Sequence, residues 1–400
     1  MSLPYWRLSG FYFFYFAFVG AISPYFGLYL KSLEFSAFQI GILMSLLQVM
    51  RMFAPNIWGW AADHTGKRVA IVQAAAILSL VSYIGVFFGT SFLWLFVVMS
   101  LLSFFWSASL PLVEATTLSH LGERTEKYGR IRLWGSVGFI FAVVALGYIL
   151  DFVPIRFLLW AILGMMIGLA LFARHIPEAQ VTPHHTDHMP AWNVIKQPVV
   201  LAFFAASFFN AAAHGPYYIF YSIYLVDHGY SKSSVGWLWA LGVICEILVF
   251  LWMPRLMRHF SLRQILLTSF ALGVLRFLLI GWGIGWFGVV LFAQILHAAT
   301  FGSAQAATIE VIHRLFRGRH QAKGQALSNS LSFGAGGTLG GLYAGYAWDA
   351  LGPQFTFTIA AACAGIAFLL VYWKLGPQAI ENSHLSPPPQ SNQPRVSKVP

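Results

Sequence analysis

Charged side chains are scarce in this sequence. Only 9% of its 400 residues are Asp, Glu, Lys or Arg, whereas ordinary soluble domains carry about 25%. The polar surface needed to face water on all sides is therefore missing, and the mean hydropathy of +0.70 agrees with this. The composition excludes a conventional water-soluble globular protein.

Cysteine is equally rare, and the two that occur, Cys245 and Cys363, both fall inside apolar runs. Neither a disulfide framework nor a thiolate metal site is indicated. No Walker-type phosphate loop occurs, which excludes ATP hydrolysis on this chain. The zinc-protease sequence HExxH is also lacking. Histidines in one long loop leave zinc binding open, but a solvated linker is the simpler interpretation, since Cys partners are lacking: His175, His184, His185 and His188. We expect no metal and no cofactor.

Long apolar runs dominate what is present. Each is about 20 residues, enough to cross a hydrocarbon core of roughly 30 Å. The sequence therefore predicts an all-α membrane protein with twelve transmembrane helices. They are expected at 5–30, 38–60, 69–89, 92–117, 133–150, 155–173, 197–225, 233–253, 264–281, 286–308, 324–347 and 353–374.

The positive charges are distributed unevenly between the loops. Of the 24 Lys and Arg residues, nineteen fall on the side of the chain termini, and only Lys31, Arg156 and Lys232 fall in the opposite loops. Because positive charge marks cytoplasmic loops, we expect both termini in the cytoplasm and the protein in the cell inner (plasma) membrane. The net charge of +11 is then a topology signal, and nucleic acid is not expected as a partner.

The two halves of the chain repeat at an offset of 195 residues. Leu28-Tyr29-Leu30 is echoed by Ile223-Tyr224-Leu225, and Ile40-Gly41 by Val235-Gly236. Duplicated six-helix units are common in secondary transporters, whose substrate site lies between the halves. We therefore expect two pseudo-symmetric bundles joined by a cytoplasmic loop and followed by a disordered cytoplasmic tail. The four segments are 1–173, 174–196, 197–375 and 376–400.

Four ionisable residues fall near the middle of predicted helices: Arg51, Glu246, Arg276 and His297. At 1.5 Å per residue, each lies roughly 16–20 Å from the end of its helix. A charge at this depth costs at least ~3 kcal/mol, so such residues usually face a cavity and have a partner. Arg51 and Glu246 are separated by the repeat offset, which makes them pseudo-symmetric positions of opposite charge.

Two interpretations of this cluster are open. It can be a structural ion pair that locks helices together, or a proton-coupling site. In the second, Glu246 carries the proton, since a carboxyl group in an apolar site binds protons near neutral pH, and Arg276 is its electrostatic partner. His297 would be a relay or a substrate ligand. Glu114 and Glu310 remain alternative carriers.

Arg51 bears on the substrate, because a mid-membrane guanidinium can bind a carboxylate through two parallel hydrogen bonds. Arg132, together with His214 and Tyr218 of the seventh helix, is a further candidate substrate-binding residue. Aromatic residues make up 17% of the chain, and most of them are expected to pack or to face lipid. A few on the first and seventh helices are candidates to line a cavity for a planar ring.

The segment 59–68 resembles the signature loop of the major facilitator superfamily. The resemblance implies a gating motif with glycines at the turn and a basic pair in the cytoplasm: Gly59, Asp63, Gly66, Lys67 and Arg68.

A second segment, 128–139, looks like the start of helix 5 in lactose-permease-like symporters. In those proteins the second arginine of the segment, here Arg132, is partnered by a helix-4 carboxylate, here Glu114. With Arg51, Glu246, Arg276 and 294–297, the chain is most similar to the phenylpropionate (3-phenylpropionic acid) permease family. One departure is Thr300, which stands where lactose permease has a second helix-10 carboxylate, so that proton route does not transfer residue by residue.

These observations predict a secondary active transporter, not an enzyme. We expect proton-coupled symport of a small organic anion, such as a phenylpropionate-like aromatic acid, by alternating access. The proton gradient is the energy source, and protons, the organic substrate and the lipid bilayer are the expected partners of a monomer. The alternatives are a symporter for a neutral sugar or nucleoside, an exporter, or, more remotely, a membrane-embedded transferase.

Overall fold

The computed structural model describes residues 3–179, 192–316 and 321–376, and these residues form helices joined by short connections. The predicted tail, and His184, His185 and His188 of the predicted linker, lie outside the described residues. Eleven of the described helices are long and apolar enough to cross a membrane. They are α1 (Tyr5–Ser32), α2 (Ala37–Thr65), α3 (Arg68–Phe87), α4 (Phe92–Leu121), α5 (Tyr128–Phe152), α6 (Phe157–Arg174), α7 (Pro198–Asp227), α8 (Lys232–His259), α9 (Leu262–Gly283), α10 (Phe287–Leu315) and α12 (Pro353–Lys374).

The twelfth helix, α11, is less apolar than the others. It runs through residues 321–351 as three consecutive segments, Gln321–Asn329, Ser330–Gly336 and Gly337–Leu351. Its first turns are polar and its middle is rich in glycine. It nevertheless packs along α2, α7 and α12 as a full member of the bundle, so the predicted architecture of twelve helices is confirmed.

Several helices extend beyond their predicted ends. The predicted spans 38–60, 233–253 and 286–308 end at Thr65, His259 and Leu315 in the structure. Apolar runs mark only the part of a helix that crosses hydrocarbon, whereas the backbone hydrogen bonds continue into the polar region. Pro55 and Pro254 lie within α2 and α8 and do not end them.

The starts of α2 and α8 follow from their local sequences. Ser36 precedes α2 and its hydroxyl accepts from the backbone N–H of Gln39, whose side chain accepts from Ser36 in return. Ser231, at the equivalent place 195 residues later, accepts from the backbone of Ser234. A serine in this position satisfies one of the free N–H groups of the first turn. The repeat seen in the sequence is therefore a repeat of helix starts.

The helices pack mainly within each half of the chain. In the first half, α1 packs on α5 and α6, and α4 packs on α2 and α3; in the second half, α12 packs on α7 and α9, and α8 on α10. Most of the contacts between the halves come from three pairs of helices: α5 with α8, α2 with α11, and α1 with α7. The central space lies between these pairs.

We call the end where α1 begins the termini end, and the opposite end, where α1 turns into α2, the far end. At the far end the halves are tied by two aspartates that reach across to a helix start. Asp151 accepts from the backbone N–H groups of Lys232 (2.7 Å) and Ser233 (3.1 Å). Asp349 accepts from those of Ala37 (3.2 Å) and Phe38 (3.0 Å). The two capped starts are separated by the repeat offset of 195 residues, so the ties are pseudo-symmetric.

The halves also approach closely at the far end. A Cβ atom on Gly41 would lie 2.8 Å from the carbonyl oxygen of Gly341, and one on Gly236 would overlap the carbonyl of Val143. Real Cβ atoms are not found so near a backbone oxygen, so both positions require glycine. An ion pair between Lys31 and Asp227 at 2.5 Å adds a further link between the halves.

Candidate substrate cavity

A cavity of about 470 Å³ lies between the two halves. Its wall reaches Arg132, Thr308 and Ser328, which are near the termini ends of α5, α10 and α11. Toward the far end it stops around Met44, Tyr218 and other mid-helix residues, below the aspartate ties. The volume suits a small organic molecule.

Four helices are irregular where they meet the cavity. In α1, α10 and α11 the irregular segments are π-helical turns: Ile22–Phe26, Ala298–Ser303 and Ser330–Gly336. In α7 the helix is interrupted at His214, just before Pro216. Each irregular segment contributes residues to the cavity wall. Such breaks free backbone groups beside a buried site and are typical of functional positions in membrane proteins.

Three charged residues line the cavity: Arg51, Arg132 and Glu246. Arg132 lies 3.8 Å from Glu114, which is behind it on α4, and its guanidinium sits 4.0 Å from the centre of the Phe16 ring. The structure thus brings together the arginine and carboxylate that the sequence resemblance pairs. Arg132 and Glu246 line the same cavity from opposite halves of the chain.

Arg51 and Glu246 have no ion-pair partner in the described part of the chain. The guanidinium of Arg51 donates to the side-chain oxygen of Gln48 at 3.3 Å. Among the described residues, neither Arg51 nor Glu246 forms an ion pair. Glu246 packs instead against Gly302 of the irregular turn in α10. The lining therefore contains two cations and one carboxylate, with one of the cations, Arg132, already paired behind the wall.

An aromatic wall faces these charges from the second half. The Tyr217 ring lies 4.8 Å from that of Trp239 and 5.2 Å from that of His297, and His297 stacks on Phe301 at 5.4 Å with 8° between the planes. Tyr218 lies beside Trp239 and Phe301. Flat faces held this way offer stacking surfaces for a planar substrate.

Arg276 is placed behind this wall and does not line the cavity. It is fully buried (0% exposed) and lies 4.2 Å from the centre of the Tyr217 ring. Its Nε donates to the carbonyl of Ala293 at 3.0 Å and its Nη2 donates to Gln294 at 3.2 Å. Within the described residues it forms no ion pair with Glu246. In this conformation the guanidinium of Arg276 is held by the carbonyl of Ala293 and by Gln294, and its role as the electrostatic partner of Glu246 stays a prediction.

Gln294 links the buried arginine to the cavity wall. Its side-chain oxygen accepts from Arg276, and its Nε2 donates to the hydroxyl of Tyr217 at 3.1 Å and to the carbonyl of Leu238 at 2.9 Å. One side chain thus connects α7, α8, α9 and α10. The amide of Gln294 uses both its oxygen and its nitrogen in this buried network, whereas Nη1 of Arg276 has no partner among the described residues.

Two histidines complete the wall. His214 is 2% exposed and its Nδ1 bonds the carbonyl of Asn210 at 2.8 Å, while its Nε2 has no protein partner. His297 is 5% exposed and its Nδ1 is likewise unpartnered. The two rings are 6.3 Å apart. Both nitrogens are buried, and a buried nitrogen without a partner is energetically costly. Thr300, near His297, donates to the carbonyl of that residue.

The predicted gating motif lies apart from the cavity and is mostly helical. Gly59 and Asp63 are inside α2, and nothing lies within 4 Å of where a Cβ on Gly59 would stand, so Gly59 makes neither a turn nor a close approach in this conformation. Gly66 alone makes the turn, with φ of 66°. Asp63 caps no helix here; its carboxylate lies 3.8 Å from Arg68, while Lys67 is exposed.

Sequence reasoning did not select several residues that line or support the cavity. Gln48, Asn210 and Gln305 are polar positions within apolar helices, and Trp239 and Phe301 complete the aromatic wall. The signal for the polar ones was available, because an amide in the middle of a membrane helix has the same need for a partner as a charge. Nothing in the sequence singles out Phe301 among the chain's many aromatic residues.

Comparison with known proteins gives a consistent picture. The profile of the MFS_1 like family matches residues 5–359. The "Probable 3-phenylpropionic acid transporter" of Escherichia coli (strain K12) is 27% identical over 370 residues, which are 91% of this chain and 96% of that protein. The maltose permease of Geobacillus stearothermophilus is 27% identical over 372 residues, covering 91% and 93% of the two chains.

Among solved structures, the crystal structure of the nucleoside transporter NupG superposes with a TM-score of 0.79 at 19% identity, covering 97% of this chain and 100% of that one. This likeness concerns the fold. The helical architecture, the central cavity and the match along most of the chain lead to one conclusion: this protein is a multi-pass membrane transporter, not an enzyme, and belongs to the MFS_1 like family of the major facilitator superfamily.

Proposed function

We propose that this protein is a proton-coupled symporter for a small organic anion, with an aromatic acid of the phenylpropionate kind as its substrate. The observation that carries the proposal is Arg51, a cation in the cavity wall without a carboxylate partner among the described residues. A carboxylate from the substrate would form two charge-assisted hydrogen bonds with it. The aromatic wall of Tyr217, Tyr218 and Trp239 would hold the ring.

Glu246 is our candidate for the proton carrier. It lines the same cavity as Arg51, and within the described residues it has no ion pair that would fix it in the charged form. Arg276 and Gln294 would act from behind the wall by positioning Tyr217 and His297, and Glu114 would hold Arg132 at the cavity edge. His214 and His297 lie in the same cavity wall and are our further candidates for substrate contact.

Alternating access would be movement of unit 1–173 against unit 197–375, with 174–196 as the connection. The ties at the far end and the extent of the cavity toward the termini end support a state open on the side of the termini. With nineteen Lys and Arg residues on that side, we assign it to the cytoplasm. The structure would then be the inward-facing state of a monomer in the inner membrane, and the inward direction of transport would come from symport with protons.

The test is transport into liposomes that contain the purified protein. An inside-alkaline pH gradient should drive uphill uptake of radiolabelled 3-phenylpropionate. Glu246→Gln should abolish that accumulation while retaining exchange of substrate across the membrane, because a neutral side chain cannot cycle a proton. Glu123→Gln, at an exposed position away from the cavity, is the matched control. If Glu246→Gln accumulates substrate as wild type does, Glu310→Gln and Glu114→Gln test the alternative carriers.

The competing function is symport of a neutral nucleoside or sugar, and the similarity to a maltose permease favours it. The same cavity amides, Gln48, Asn210 and Gln305, could serve a polyhydroxyl substrate. In the same liposomes, accumulation of uridine or maltose without accumulation of aromatic carboxylates would select this function over ours.

A further inference from the structure

A second pocket lies on the outer surface of α8 at the termini end. It has a volume of about 220 Å³ and is lined by Trp252, Arg255, Leu256, His259 and Phe260, which we call the basic groove. The first four residues are spaced to share one face of the helix. This face is turned away from the substrate cavity, since none of these residues lines that cavity.

Cations around the basic groove lack acidic partners. Arg255 and Arg258 are exposed, and Arg263 is half-buried at the start of α9. Within the described part of the chain none of the three forms an ion pair. Backbone carbonyls orient two of them: Arg258 donates to Pro254 at 3.2 Å, and Arg263 donates to Tyr372 at 2.8 Å.

The position equivalent to Arg258 in the first half of the chain has a side chain of opposite charge. Asp63 lies 195 residues before Arg258, and its carboxylate is 3.8 Å from Arg68. The second half has an arginine at that place, so its segment carries positive charge that nothing in the described residues compensates. A gating role does not account for this charge, because the basic groove opens outward rather than between the halves.

The surroundings of the groove are those of a lipid contact. Leu251 and Trp252 are 70% and 63% exposed, and Phe260 is 51% exposed. Large apolar side chains exposed on a membrane helix face acyl chains, and tryptophan concentrates at the level of the headgroups. The groove therefore places cations directly beside an apolar surface, which is the arrangement that binds the charged head and the chains of a lipid together.

We propose that the basic groove binds one anionic phospholipid, with its phosphate at Arg255 and Arg258 and its acyl chains along Leu251 and Trp252. The charge of the groove selects anionic over zwitterionic lipids. Each arginine near an anionic membrane surface contributes roughly fivefold to such binding, and the two together about thirtyfold. The proposal does not depend on which substrate is transported.

Photo-crosslinking in nanodiscs tests it. The full chain is placed in phosphatidylcholine containing a trace of phosphatidylglycerol with a diazirine near its headgroup, and labelled peptides are mapped by mass spectrometry. We expect labelling of the peptide covering 251–263 at least fivefold above that from the matching phosphatidylcholine probe. Equal labelling by the two probes would overturn the proposal, and this comparison requires only the wild-type protein.

Variants then locate the charge. Arg255→Gln/Arg258→Gln should remove the excess labelling at 251–263, whereas Arg124→Gln/Arg174→Gln, which removes two exposed arginines elsewhere on the same side, should leave it unchanged. Equal loss in both variants would mean only general surface attraction and would contradict a site. Competition by millimolar glycerol phosphate would also contradict a lipid site, since it would reveal a site for soluble anions.

Discussion

The pseudo-symmetric aspartate ties at the far end make a specific prediction about conformational equilibrium. Asp151 and Asp349 each accept two backbone hydrogen bonds from the first turn of a helix in the other half. These contacts exist only while the far end is closed. Replacing both aspartates with alanine should therefore destabilise the closed far end without affecting contacts within either half.

The size of the effect follows from the geometry. A side-chain oxygen that caps a helix start contributes typically about 1 kcal/mol, and the negative charge adds a few tenths where it is exposed to solvent. Both aspartates are exposed, so we take about 1 kcal/mol for each. Two independent ties then amount to about 2 kcal/mol, or roughly thirtyfold in the ratio of open to closed far ends.

Pulsed electron–electron double resonance between spin labels at Thr90 and Gly285 measures the ratio of open to closed far ends. Both positions are exposed at the far end on opposite halves, and Gly285 has open space for a side chain. Asp151→Ala/Asp349→Ala should enlarge the population with the long distance between the labels. Each single variant should raise the ratio of open to closed far ends by about fivefold. The control Glu123→Ala, at the termini end, should leave this ratio unchanged. An unchanged distance distribution in the double variant would refute the reasoning.

Two further predictions concern packing. Gly236→Leu should displace α5 from α8, because even a Cβ would overlap the carbonyl of Val143, and the same spin-label pair should report an open far end; a wild-type distance distribution would contradict this. Gln294→Leu should lower the free energy of unfolding by about 2–4 kcal/mol, because Arg276 and the Tyr217 hydroxyl both lose a buried partner. Gln305→Leu, whose side chain lines the open cavity, is its control in thermal unfolding and should change stability by less than about 1 kcal/mol.

Much of the fold could be predicted from the sequence for a simple physical reason. Because a segment that crosses hydrocarbon must be a long apolar helix, the apolar runs in the sequence indicate the number and approximate positions of the helices. The repeat offset gave more: it related Gly41 to Gly236, and the structure shows both at close approaches between the halves. The positions of the helix ends could be predicted less well, because α2 and α8 continue into the polar region, where apolar residues no longer mark them.

The cavity could be anticipated only in part. Counting residues from helix ends puts Arg51, Glu246 and His297 at one depth, and the structure lines the cavity with all three. The same count puts Arg276 at that depth, yet it lies behind Tyr217. Depth follows from the sequence, but the direction in which a side chain points depends on helix rotation and on the irregular turns in α1, α10 and α11.

The account rests on Arg51, a cavity cation that recognises the carboxylate of the substrate. Isothermal titration of the purified protein with 3-phenylpropionate, compared between wild type, Arg51→Gln and the matched variant Arg124→Gln, tests this most directly. We predict binding to wild type and Arg124→Gln, and a loss of about 2 kcal/mol or more, at least thirtyfold in Kd, for Arg51→Gln because a charge-assisted pair is removed. Equal affinity of Arg51→Gln and wild type, or binding of 3-phenylpropanol as tight as that of the acid, would contradict it.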